Sequence, residues 1–203
     1  MTKVNTGNHT CLEIFAKQTA DGGRIRVLSA NADGSRQSVE KPAGRTYFSW
    51  IKIPLEKRTD YEICSEECEV SLCYLSGSED ILEEGVCYLE KNPADNRFYV
   101  PDQAAWYDRP SRESYHFSPW KNWMNDPNGL CWFRGYYHMF YQFNPHGQQW
   151  SNMYWGHAAS RDLVHWVHLP VVLAPQEEIL EKPEEWKGGA FSGCAVASGE
   201  EVV

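Results

Sequence analysis

One short run holds the residues best suited to covalent chemistry: Trp123-Met124-Asn125-Asp126-Pro127-Asn128-Gly129. It sets a single carboxylate, Asp126, in a polar segment between aromatic stretches, with Phe117, Pro119 and Trp120 before it and Leu130, Trp132 and Phe133 after it. Attack on a sugar's anomeric carbon needs such a group, an ionised acid beside flat apolar surfaces that can hold a ring. Read alone, Asn-Asp-Pro-Asn-Gly predicts a turn, because proline fixes φ, asparagine and glycine tolerate positive φ, and Asn or Asp side chains bond the nearby backbone. In an isolated turn Asp126 would be an Asx-turn carboxylate, and Asn125 and Asn128 mere turn residues. The surrounding elements have to decide.

Two predicted strands, Gly129 to Phe133 and Tyr136 to Phe143, flank Arg134-Gly135, a two-residue connection of the kind that closes a tight hairpin. Asn152 to Ser160 and, after the polar Ser160-Arg161-Asp162 turn, Leu163 to Leu169 complete four strands in up-and-down order. Four such strands make one propeller blade. The charged stretch Gln176 to Lys187 has helical propensity interrupted by Pro183, and a further strand is expected over Ala190 to Ala197. After the Ser198-Gly199-Glu200 turn, Val202-Val203 reads as the start of a strand with no room to pair, so the chain is expected to be truncated.

Upstream, residues 10 to 100 show short alternating apolar runs: Leu12-Ile14, Ile25-Val27, Phe48-Trp50-Ile51-Ile53, Val70-Leu72-Tyr74 and Val86-Tyr88-Leu89. Turn clusters at 20–23, 32–35, 76–78 and 92–95 separate them, which predicts a small β-sandwich. The turn-rich, charged stretch Tyr107 to Glu113 breaks the pattern and places a domain boundary near Pro110. The expected architecture is all-β: a sandwich-like domain over 1–110, then the first blade and part of the second of a propeller over 111–203.

Composition excludes several classes. A net charge of −9 opposes binding to nucleic acid, which needs Lys and Arg patches to displace counterions. No run approaches the roughly 20 apolar residues of a membrane span, and residues 1 to 9 lack the apolar core of a secretory signal. Seven cysteines, an odd number, suit reduced thiols better than a disulfide framework; both points lead to an expected cytoplasmic location. The Cys64-x3-Cys68 spacing reads as strand positions in phase with apolar neighbours rather than a zinc site. His138, His146, His157, His165 and His168 form no helical His-x3-His pair, and His165 and His168 would face opposite sides of one strand, so no metal is expected.

Residues 116 to 197 resemble the opening of glycoside hydrolase family 32, the invertases, inulinases and levanases. The resemblance lies in His116-Phe117-Ser118-Pro119, Trp123 to Gly129, Tyr137 to Pro145, Trp155-Gly156-His157-Ala158, Ser160 to Trp166, and Phe191-Ser192-Gly193-Cys194-Ala195-Val196. Six blocks in order are highly specific, although Cys194 stands where serine is usual; the first hundred residues match no motif of this family. The resemblance implies a five-bladed propeller acting on sucrose or fructans with Asp126 as nucleophile, by a retaining scheme that needs neither metal nor other cofactor. It implies that Asn125 and Gln142 meet fructosyl hydroxyls, that Asn128 belongs to the same substrate-binding group, that Trp123 and Trp150 form apolar walls, and that Phe191 and Ser192 line the pocket; loop packing is the other reading of Trp150. It also implies a stabilising Asp in an Arg-Asp-Pro motif and an acid/base Glu in a Glu-Cys motif beyond the Phe-Ser-Gly block, and neither follows that block here. Asp108-Arg109-Pro110 has the wrong order, and Glu67-Cys68 precedes the nucleophile in a solvated charge run. Two other readings stay open: a non-catalytic sugar-binding module using Tyr47, Phe48 and Trp50 for stacking, and a fructosyltransferase on the same scaffold.

Overall fold

The structure, a computed structural model, describes residues 2–30, 35–113, 115–176 and 189–203. The turn at 32–34 and all but the first residue of the stretch Gln176 to Lys187 lie outside the described residues. The described chain is all-β apart from two short helices, and it divides into two compact units. The first comprises Met1–Glu79 with Cys87–Arg109, and the second comprises Asp80–Val86 with Pro110–Val203.

Strands β1 (Val4–Asn5), β2 (Cys11–Gln18), β3 (Arg24–Ala30), β4 (Arg36–Pro42), β5 (Ser49–Pro54), β6 (Asp60–Glu66) and β7 (Cys68–Ser76) come first in the chain. Helix α1 (Ile81–Glu84), β8 (Cys87–Tyr88), β9 (Glu90–Lys91), β10 (Phe98–Tyr99) and helix α2 (Gln103–Tyr107) follow. In the first unit, two antiparallel sheets ordered β1-β6-β3-β4 and β5-β2-β7-β8 supply one shared core, which contains Leu12, Ile14, Ile25, Val27, Ile53, Ile63 and Leu75. Alternation explains this: Tyr61 and Ile63 of β6 point into the core while Glu62, Cys64 and Glu66 stand half-exposed. Cys64 is thus on the face opposite its apolar neighbours, whereas Cys68 is buried in the core. All seven cysteines are free thiols.

On the outward side of β2, Glu13 is buried (3% exposed) and accepts hydrogen bonds from Trp50 Nε1 at 2.8 Å, Tyr74 Oη at 3.1 Å and Ser76 Oγ at 2.6 Å. Trp50 is stacked on Phe15 with ring centroids 5.4 Å apart, and Lys52 Nζ lies 4.1 Å from its ring centroid. The indole is engaged by its neighbours through ring and N–H alike, which disfavours it as a free sugar platform.

The second unit is built on β11 (Trp123–Phe133), β12 (Tyr136–Asn144), β13 (Tyr154–Ser160) and β14 (Trp166–Leu173), antiparallel neighbours in chain order. The β11–β12 connection is the expected two-residue one: Arg134 (φ +48°) and Gly135 (φ +83°) both take positive φ, as a twist-matched hairpin turn requires. Three expectations need correction. The run Trp123 to Gly129 is not a turn but the first half of β11, whose ladder absorbs the turn-forming residues by register shifts. Residues 190–196 form no strand; the extended segment instead leads into β15 (Ala197–Ser198), which pairs with β16 (Glu201–Val202). The final apolar pair therefore does find a partner, since Val196 and Val203 exchange backbone hydrogen bonds.

Replacing Glu13 by alanine would strand three donors at once, Tyr74 and Ser76 buried and Trp50 half-buried, so Glu13→Ala is expected to cost roughly 3–5 kcal/mol. Glu13→Gln, which keeps an acceptor oxygen, should cost clearly less. Urea unfolding followed by tryptophan fluorescence compares them, and equal losses would show that the network contributes nothing.

Candidate active site

The edge strand β11 pairs Met124 with Phe143 and Pro127 with Tyr141, so that two residues, Asn125 and Asp126, face one, Gln142, across the ladder. This is a β-bulge, which breaks the alternation of side chains and re-aims them. Pro127 has no N–H for a ladder and belongs on an edge or beside a bulge; here it has both. A second bulge sets Gly129 and Leu130 against Met139. Gly129 has φ +52°, and a Cβ there would fall 2.8 Å from both the Phe140 ring and Ala195 Cβ, so glycine is required.

The bulge leaves Asp126 exposed at the strand edge. Ser192 Oγ donates to Asp126 Oδ2 at 2.9 Å. The Trp123 indole N–H donates to Asn125 Oδ1 at 2.8 Å, which fixes the amide so that its nitrogen is left for the carboxylate. The Ser192 hydroxyl, then the Asn125 amide and a backbone N–H, hold the Asp126 carboxyl below the usual carboxylate range. An exposed carboxylate is anionic at neutral pH in any case, and these donors extend the ionised range of Asp126 to lower pH.

Ser192 reaches Asp126 from 66 positions along the chain because its segment is pinned from several sides. Gly189 bridges to Met153, and Ala190 N–H donates to Met153 C=O at 2.7 Å. Gln142 Nε2 donates to Ala190 C=O at 2.7 Å, Trp155 Nε1 to Phe191 C=O at 3.0 Å, and Gly129 N–H to Gly193 C=O at 3.2 Å.

The structure thus brings Trp123, Asn125, Asp126 and Ser192 into one hydrogen-bonded group. Gln142 stands opposite the bulge but is buried and holds the Ala190 carbonyl. Asn128 is also buried, and its Nδ2 has no hydrogen-bond partner among the described residues. Phe191 is exposed beside Ser192. Trp150 is exposed in the loop after β12, and among the described residues no hydrogen bond or ring contact joins it to the Asp126 group. Sequence reasoning gave no role to Trp155, Gly129 or Met153, whose contribution is to hold backbone; Trp155 and Gly129 lie inside the motif blocks, which was the available signal.

Residues 116–203 match the family model for the glycosyl hydrolases family 32 N-terminal domain. This part of the chain belongs to glycoside hydrolase family 32. A levanase of Bacillus subtilis is 53% identical over 93 residues, 46% of this chain and 12% of that protein. An extracellular exo-inulinase of Aspergillus niger is 53% identical over 91 residues, 45% of this chain and 16% of the relative. The match therefore spans less than a fifth of these relatives' length. A solved family 32 glycoside hydrolase from Bifidobacterium adolescentis superposes with a TM-score of 0.83 at 40% identity, covering 98% of this chain and 31% of its own.

In the same sheet, His138 and His157 pair with each other and the backbone. His138 Nε2 lies 3.2 Å from Phe133 C=O and its Nδ1 3.0 Å from His157 Nε2, an arrangement in which His138 gives its proton to the carbonyl and receives one from His157. The Phe140 ring stacks on His157 with centroids 4.2 Å apart. Burial, then the nearness of His138, pushes His157 down to about 3, and burial pushes His168 down to about 4. His165 is not on the strand at all; it precedes β14 and its Nδ1 lies 2.7 Å from Asp162 Oδ2.

Removing the hydroxyl in Ser192→Ala should raise the Asp126 pKa toward the ordinary carboxylate value, read by carbon-13 NMR titration; an unmoved titration would refute the assigned cause. A second outcome concerns acid stability. His157 is neutral in the fold down to about pH 3 but protonates near 6.5 once unfolded, so stability falls as pH drops between those values. His157→Gln, which keeps a donor for His138, should reduce that slope by about 1.4 kcal/mol per pH unit in denaturation series at several pH values.

Proposed function

We propose that this chain is the amino-terminal part of a β-fructofuranosidase-type enzyme that hydrolyses terminal β-fructofuranosidic bonds in sucrose or fructans with retention, using Asp126 as nucleophile. The observation behind this reading is the anionic, outward-facing Asp126 with its proton affinity lowered by Ser192 and Asn125. The names of the relatives, levanase and exo-inulinase, supply the substrate class.

In the proposed reaction an Asp126 oxygen bonds the fructosyl anomeric carbon as the glycosidic C–O bond breaks, and a second carboxyl gives its proton to the departing oxygen. Water then cleaves the ester, surrendering a proton to that second group and freeing Asp126. The second carboxyl must sit about 5–5.5 Å away with a raised pKa. The Arg-Asp-Pro and Glu-Cys motifs that resemblance leads one to expect for the stabiliser and the acid are missing downstream of Asp126. On this reading residues 111–203 are the first blade and part of the second of a five-bladed propeller, and residues 1–110 form an accessory domain. The 203-residue chain alone is inactive, since loss of acid catalysis typically costs 10²–10⁴-fold.

The test has two arms. The purified chain, incubated with sucrose, inulin or levan, should release no fructose. The full gene product should release it with retained anomeric configuration, should lose about 10³-fold or more in Asp126→Asn, and should yield a trapped fructosyl adduct on Asp126. Hydrolysis by the isolated chain, or an adduct on another residue, would overturn the proposal.

A further inference from the structure

The segment Asp80–Val86 lies in sequence between β7 and β8, both strands of the first unit, yet it belongs to the second unit. Four features attach it there. Ile81 and Leu82, together with Val167, pack on Tyr136, Ala159 and Leu169. The Glu83 carboxylate accepts hydrogen bonds from Tyr136 Oη and Arg161 Nη2, and Arg161 Nη2 also donates to Tyr136 Oη at 2.7 Å. Gly85 takes φ +69°, and any Cβ there would come within 2.8 Å of the His168 carbonyl oxygen. Val86 N–H donates to His168 C=O at 2.8 Å.

His168 lies on β14, the last strand of its sheet, and the residues ending that strand, Val172 and Leu173, are 40% and 46% exposed. An edge of this kind is a template for pairing with another strand, and proteins cover or blunt it. We infer that Asp80–Val86 is an edge clasp, a piece of chain lent from the first unit that closes the outer edge of β14 and keeps the sheet from pairing with a second copy of the same chain. The backbone bond satisfies one carbonyl of the edge, the apolar pair packs beside it, and Glu83 ties the segment to Tyr136 and Arg161. Gly85 permits the close approach.

The clasp is tested in the whole chain with Leu82→Asp and Gly85→Val, followed by hydrogen exchange and light scattering. Amides of 80–86 and β14 should exchange about tenfold faster or more, the unfolding midpoint should fall by about 4–8 °C, and concentration-dependent self-association should appear. Glu83→Ala and Arg161→Ala should give losses that do not add in the double variant, whereas Glu83→Gln, which keeps an acceptor for Tyr136, should hold protection within about twofold. Unchanged exchange at β14, strictly additive losses, or a chain that stays monomeric with the clasp open would each overturn the inference. Should the first two variants fail to fold, the milder Glu83 series decides it.

Discussion

Two residues of β11 facing one residue of β12 is the constraint from which the site follows. In a regular ladder Asn125 and Asp126 would point to opposite faces, one of them into the sheet. The bulge releases that alternation, so Asp126 reaches the exposed edge while Asn125 stays close enough to share a proton with it. Gln142 alone faces the pair, and its buried amide is directed to the Ala190 carbonyl, which places the segment bearing Ser192. One register shift thereby sets both the carboxylate and the group that holds it anionic.

The rest of the site is a matter of fastening an irregular segment. Residues 190–196 have no ladder of their own, so their backbone groups need partners from elsewhere. β11, β12 and β13 supply them through the Gly129 amide, the Gln142 side chain and the Trp155 indole. Three attachments from three strands leave little freedom at Ser192, and this rigidity is what pre-organises a hydrogen bond that would otherwise compete with water. A Cβ at Gly193 would meet the Trp155 ring at 3.2 Å, so glycine lets the indole sit close under the segment without displacing it.

Much of this was legible in the residues. The Arg134-Gly135 hairpin and the sandwich of the first unit follow from turn chemistry and period-2 alternation, which are local signals. The bulge was not legible, because Asn-Asp-Pro-Asn-Gly satisfies the local requirements of a turn equally well; pairing with the strongly apolar Met139 to Phe143 run settled it, and that is a tertiary effect. For the same reason the Phe191 to Val196 stretch, apolar enough for a strand, remained irregular where one indole and scattered backbone bonds from Gly129 and Val203, rather than a continuous ladder, met its backbone. Asp80–Val86 was invisible for another reason: seven residues between two strands of one unit give no sign that their partners are Tyr136 and Arg161.

The way Asp126 is kept ionised bears on what the proposed chemistry still requires. Its low proton affinity comes from donated hydrogen bonds at an exposed position. A group that must deliver a proton to a leaving oxygen needs the contrary setting, desolvated or next to another negative charge. Glu79, Glu83, Asp126 and Asp162 are each displaced downward by partners that donate to the anion. Desolvation instead pushes the histidines His138, His157 and His168 toward their neutral forms, and among the described residues it likewise holds Tyr154 and the Cys68 thiol protonated. The sheet therefore offers an anion on its edge over a neutral interior, which suits the attacking half of a retaining pair. On the proposed reading the proton-donating partner has a physical specification: a carboxyl brought near Asp126 by chain that shields both from water, so that the negative charge already present raises its pKa and makes it an acid.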